Sequence, residues 1–168
     1  MLFDGRVFYL KSDKHRLKEK IYDYFLPNES HSNFTESIGL NIGSKLLKTN
    51  QSGHQVALME TPVNHAVQTA QVLKFLYPST KCAIEPDHES DEAFLHCVSL
   101  LMDQNMLEVH ICKFYILNSD DRVLEFRYMK RVQGVDGKGR TYTDVGAEIA
   151  AVREKILPIM REFPLYRP

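Results

Sequence analysis

Two stretches of the chain are dense in β-branched and aromatic residues and are separated by four turn-forming residues. Leu107 to Leu117 (LEVHICKFYIL) and Arg122 to Val132 (RVLEFRYMKRV) flank Asn118-Ser119-Asp120-Asp121, which predicts an antiparallel hairpin over 107–132. Arg6 to Leu10, Gln55 to Met59 and Lys81 to Ile84 carry shorter strand signals, the last closed by Pro86. Helical spacing governs other segments. From Ser12 to about Leu26 the apolar positions Leu17, Ile21, Tyr24 and Phe25 fall on one helical face. Thr61-Pro62 joins a capping hydroxyl to a proline at the first helical position, so a helix is expected to Tyr77. It should bury Val63, Val67, Ala70 and either Leu73 or Phe75, with Pro78 ending it. Over 91–102 (DEAFLHCVSLLM), the stripe of Phe94, Leu95, Val98, Leu101 and Met102 favours a helix capped by Ser90, with a buried strand as the alternative. Thr143 or Asp144 opens a last helix to about Leu157, burying Val145, Ile149, Val152 and Ile156. Pro158 ends it, and an extended tail follows.

Residues 28–54 are rich in Ser, Asn, Gly and Thr and read as a long, partly irregular connection. No repeat is visible. The expected fold is a single α+β domain over 1–168, an antiparallel sheet including the 107–132 hairpin packed against three to four helices. A chain of 168 residues with 43% apolar content can bury a sizeable core. Its 21 Lys+Arg against 22 Asp+Glu argue against a surface built wholly for nucleic acid. No apolar run approaches the ~18–20 residues a membrane helix needs, and the start has no secretory pattern. Cys82, Cys97 and Cys112 form an odd, sparse set without a C-x-x-C pair. They read as reduced, buried thiols in a cytoplasmic or nuclear protein.

Motif by motif, the chemistry is thin. Gly134-Val135-Asp136-Gly137-Lys138-Gly139 resembles a phosphate loop only in glycine content. Arg140-Thr141-Tyr142-Thr143 intervene before a helix can start, so chain reversal explains it. The acidic run Glu85 to Glu92 around His88 lacks the spacing of a calcium loop and reads as a solvated helix start. No metal or cofactor is expected. His96, His110 and Cys112 are the candidates for catalysis, since a thiolate needs a base and an orienting group. On the 107–117 strand, Glu108, His110 and Cys112 share one face, opposite Val109 and Ile111.

Charge is segregated despite the neutral total. Arg122, Arg127, Lys130, Arg131, Lys138 and Arg140 crowd residues 122–140, interleaved with Phe126 and Tyr128. This pattern suits an acidic protein, anionic lipid or nucleic acid, and it equally keeps a strand edge soluble. The sequence therefore points first to a non-catalytic interaction or adaptor protein in a cytosolic or nuclear assembly. It would bind another protein, or a second copy of itself, through the hairpin face and the charged patches. The alternatives are a module for anionic lipid or nucleic acid through 122–140, and a small enzyme with dispersed His, Cys and carboxylate residues.

Overall fold

A computed structural model describes residues 1–16, 19–43, 47–49, 55–57, 61–87, 92–101, 105–117, 122–135 and 139–163. The strands before the first helix are β1 (Leu2–Phe3), β2 (Arg6–Val7), β3 (Tyr9–Arg16), β4 (Glu19–Phe25), β5 (Glu36–Ile42), β6 (Leu47–Thr49) and β7 (Gln55–Ala57). Helix α1 (Pro62–Leu76) leads into β8 (Lys81–Asp87), β9 (Glu92–Leu101), β10 (Met106–Leu117) and β11 (Arg122–Gln133), and α2 (Tyr142–Glu162) follows. Seven strands make one antiparallel sheet in the order β3-β4-β5-β11-β10-β9-β8, and β1-β2 and β6-β7 form small separate ladders. The large sheet is thus two meanders, β3-β4-β5 and β8-β9-β10-β11, joined where β11 pairs with β5 from Leu124 opposite Ile42 to Lys130 opposite Glu36.

The expected α+β fold with three to four helices is corrected to a mostly-sheet fold with two helices among the described residues. Two segments account for the difference. The stretch expected as a first helix over 12–26 is instead the β3–β4 hairpin, with Tyr24 opposite Ile38 and Phe25 opposite Ser37 of β5. Ile21, Tyr22, Tyr24 and Phe25 are strand-favouring residues; Phe25 is buried and the others half-buried, so apolar side chains stand on both faces of β4 and mimic a helical stripe. The same holds for 91–102. Ala93, Leu95 and Cys97 of β9 pack under α1 while Phe94 and Val98 pack under α2, so the apolar run belongs to a doubly covered strand. The irregular 28–54 segment contains β5, where Ser37, Ile38 and Gly39 are buried, and β6.

The 107–132 hairpin stands, in register from Met106 opposite Gln133 to Leu117 opposite Arg122. Helix α1 also forms, with Thr61 accepting the Asn64 N–H at 3.2 Å. Its buried face is Pro62, Ala66, Ala70 and Leu73, so small residues bring it close to the sheet and Val67 and Phe75 turn outward. Helix α2 is capped by Thr141 with Asp144 reciprocating, and it runs past Pro158. Leu157 at the expected end and Met160 beyond it are buried, and Lys113 donates to the Arg161 carbonyl at 3.1 Å.

The two faces of the sheet carry two cores. Phe94, Ile111, Phe126 and Tyr128 pack with α2 and with Phe3 and Phe8 of the N-terminal segment. Leu95, Cys97, Cys112 and Phe114 pack with α1. Cys82 and Cys97 face each other across β8–β9 and are joined as a disulfide, while Cys112 is free and buried. The expectation of three reduced thiols is corrected accordingly, and with it goes the argument for a reducing compartment. Among the described residues no helix is long and apolar enough to cross a membrane. Residues 88–91, 118–121, 136–138 and the expected extended tail over 164–168 lie outside the described residues.

Candidate functional site

Strand alternation sorts the hairpin's polar residues. On β11, Val123, Glu125, Arg127, Met129 and Arg131 share the face that α1 covers in part, and Arg122 and Lys130 lie on the α2 face. Helix α1 sits over β8, β9 and β10. It leaves the β5–β11 seam of the same face as the floor of a groove of about 410 Å³. Asn41, Glu125 and Arg127 line the floor, and Gln68, Val72 and Leu76 of α1 line the wall.

Each floor residue owes its place to the register. Asn41 lies opposite Glu125, and Gly39 lies opposite Arg127. The Arg127 guanidinium rests against Gly39, where a Cβ would come within 3.2 Å of Nη2. Arg127 Nη1 stands 3.9 Å from Glu125 Oε1. Burial opposes the charge on Arg127, but the carboxylates of Glu125, Asp23 and Glu108 outweigh it and hold the guanidinium above its ordinary pKa. Asn41 Oδ1 and Arg127 Nε are shielded from solvent and have no hydrogen-bond partner among the described residues, while the Glu125 carboxylate, paired with Arg127, also faces the Cys112 thiol.

The wall is apolar and open. Val72 is 56% and Leu76 58% exposed, and Phe75 beside them is 86% exposed. Single exposed apolar residues are ordinary. Three on one turn of a helix, bordering a groove, mark a contact edge.

The other sequence candidates are dispersed. Lys130 pairs with Glu36 at 3.6 Å, Arg131 Nε with Glu108 at 3.0 Å, and Arg140 with Glu148. Arg122 is on the α2 face, and Lys138 lies outside the described residues. The five described basic residues therefore do not share one face, and among them Arg127 alone lines the groove. Glu108, His110 and Cys112 do share a face, as alternation predicts, and that face is buried, with His110 3% exposed. Burial would raise the Glu108 carboxyl, but His110 at 3.5 Å and the hydrogen bond from Arg131 hold it below its ordinary value. Burial pushes the Cys112 thiol well up, away from thiolate chemistry. His96 is on the opposite face, 3.6 Å from Glu85 beneath α2, and so does not meet His110 or Cys112.

Asn41, Gly39, Glu125, Val72 and Leu76 were not singled out in the sequence. Glu125 and Arg127, two apart on a strand of the expected hairpin, are legible as a same-face pair. Gly39 and Asn41 are not, because β5 lies in a segment without a strand pattern. The chain matches no protein-family profile, no curated protein and no solved structure.

Proposed function

We propose that this chain is a non-catalytic interaction protein, a subunit or adaptor that seats a segment of a partner protein in the groove between α1 and the β5–β11 seam. The observation that carries the reading is an exposed apolar wall, Val72 and Leu76 with Phe75 beside them, along a groove whose floor holds the Arg127–Glu125 pair. Charge on the floor is balanced, Arg127 against Glu125. A strongly anionic ligand such as a phosphate backbone gains little there, whereas a peptide brings apolar side chains and polar amides together. The separation of His96 from His110 and Cys112 gives a catalytic reading no shared site to work from.

Selection of displayed peptides on the intact chain tests the proposal. Peptides are expected to enrich, and their binding to weaken at least about tenfold in Val72→Glu and Leu76→Glu, since a buried charge in the wall costs more than a lost apolar contact. Both positions are exposed, so the variants should fold. If no peptide enriches, or enriched peptides bind both variants as well as wild type, the reading fails.

A further inference from the structure

We infer that the Cys82–Cys97 disulfide is a stoichiometric exchange site for thiols, with His110 as the proton donor to Cys97; this chemistry is independent of the groove. Three neighbouring strands bring the groups together. Cys82 of β8 lies opposite Cys97 of β9, and Cys97 lies opposite His110 of β10. Directly opposed residues put their Cβ atoms about 4.5–5.5 Å apart on the same face, within reach of a hydrogen bond between imidazole and sulfur. Glu108, two residues from His110 on that face, stands 3.5 Å from His110 Nε2 and is itself paired with Arg131 at 3.0 Å. The two sulfurs differ in access. β8 is the last strand of the sheet and Cys82 on it is half-buried, whereas Cys97 is 1% exposed.

A purely structural staple needs no titratable group beside it. His110 is 3% exposed, and neither ring nitrogen has a hydrogen-bond partner among the described residues. Leaving a buried imidazole unmet is costly, and exchange gives it a task. The thiolate of an external dithiol meets Cys82 first and bonds to its Sγ as the Cys82–Cys97 bond breaks. Cys97 leaves with the electron pair into a core of Leu95, Phe114 and the alanines of α1, where an unneutralised charge is strongly disfavoured. It takes the proton that the His110 imidazolium holds beside Glu108, and water restores that proton through the carboxylate. The dithiol's second thiolate then closes the external disulfide and releases Cys82, which is protonated from water. The chain gains two electrons and two protons, and the dithiol loses the same. In the reverse direction, with an external disulfide as oxidant, His110 takes the proton from Cys97 so that its thiolate can close the bond to Cys82. Cys112 stands opposite Leu95, and burial pushes its thiol well up, so it stays outside the exchange.

The test treats the intact chain with dithiothreitol and then with oxidised glutathione. Thiols are counted by alkylation and mass spectrometry while circular dichroism follows the fold. Cys82 and Cys97 are expected to open and re-close with the fold retained, and the acid-trapped mixed disulfide with glutathione should map to Cys82. His110→Gln should slow both directions at least about tenfold. The sign of that effect separates the roles, because replacing a histidine that only packs would loosen the core and speed reduction. Exchange in wild type that waits for unfolding, or a mixed disulfide on Cys97, overturns the inference whether or not the variant folds. A folded His110→Gln chain that exchanges at the wild-type rate or faster overturns it as well.

Discussion

Gly39 decides where the arginine of the groove lies. A Cβ at this position meets Arg127 Nη2 at 3.2 Å and Nε at 3.3 Å. The atoms that must yield belong to the far end of a flexible side chain, so the fold gives way easily. Alanine also relieves the entropy that glycine costs in a strand, about 0.5–1 kcal/mol. Gly39→Ala is therefore expected to leave unfolding stability within about 1 kcal/mol of wild type. The displaced guanidinium should meanwhile weaken binding of a groove-selected peptide severalfold. Urea unfolding and a peptide titration on the same sample separate the two effects. Wild-type binding would mean that Arg127 holds its position without help from Gly39, and a large loss of stability would mean that the contact is structural. Arg127 was visible in the sequence only as one of six basic residues. What sets it apart, a glycine opposite it and a carboxylate two residues before it, depends on a strand pairing across most of the chain.

At the scale of elements, segments with local punctuation were legible and segments defined by their neighbours were not. Thr61-Pro62 marks the start of α1, because those residues act on the adjacent backbone, and in the sequence the turn chemistry of Asn118 to Asp121 divides the two strand patterns of the hairpin. Over 12–26 and 92–101 the apolar residues of the sequence satisfy a helical stripe and a strand with apolar side chains on both faces equally well. The choice is made by the strands beside them, β5 for one and β8 and β10 for the other. Local and tertiary signals also meet at α2. Its start lies two residues before the expected Thr143, at Thr141, whose hydroxyl accepts the Asp144 N–H at 3.2 Å. The Asp144 carboxylate in turn accepts the Thr141 N–H at 2.8 Å. This reciprocal cap is exposed, and the Thr141 hydroxyl also donates to the Asp144 carboxylate at 2.7 Å, so Thr141→Ala should cost about 1 kcal/mol. Chemical denaturation checks it, and an unchanged midpoint would show that tertiary packing alone fixes the helix start. Pro158 misled as a stop because Leu157, Met160 and Phe163 anchor the last turns in the α2 core.

The whole molecule is held at its margins by buried ionisable groups, and these set its response to pH. Glu36 accepts from Tyr128 Oη at 2.6 Å and pairs with Arg6 at 2.6 Å, tying the β1–β2 hairpin to the sheet. Burial would raise this carboxyl, but the hydrogen bonds from Arg6 and Tyr128, with the charges of Arg6 and Lys130, hold it below its ordinary value of 4.5. Glu108 is held down in the same sense. His96 is the reverse kind of group. Burial, aided by Arg153 and Arg161 and opposed by Glu85, holds it below its ordinary value of 6.5. As pH falls through 6.5 the unfolded chain takes up a proton at this histidine that the folded chain does not, so stability declines. As pH falls further, below about 4.5, the unfolded chain also protonates Glu36 and Glu108 before the folded chain does, and stability declines again. Both contributions have the same sign, so the protein should be most stable above about pH 6.5 and weaken in two stages on acidification. Urea midpoints at pH 7.5, 5.5 and 3.5 measure this. His96→Gln should flatten the upper stage and leave the lower one, whereas Glu36→Gln should reduce the lower stage and leave the upper. A midpoint constant from pH 7.5 to 5.5 in wild type, or an upper stage that persists in His96→Gln, would show that His96 is not the group that titrates there.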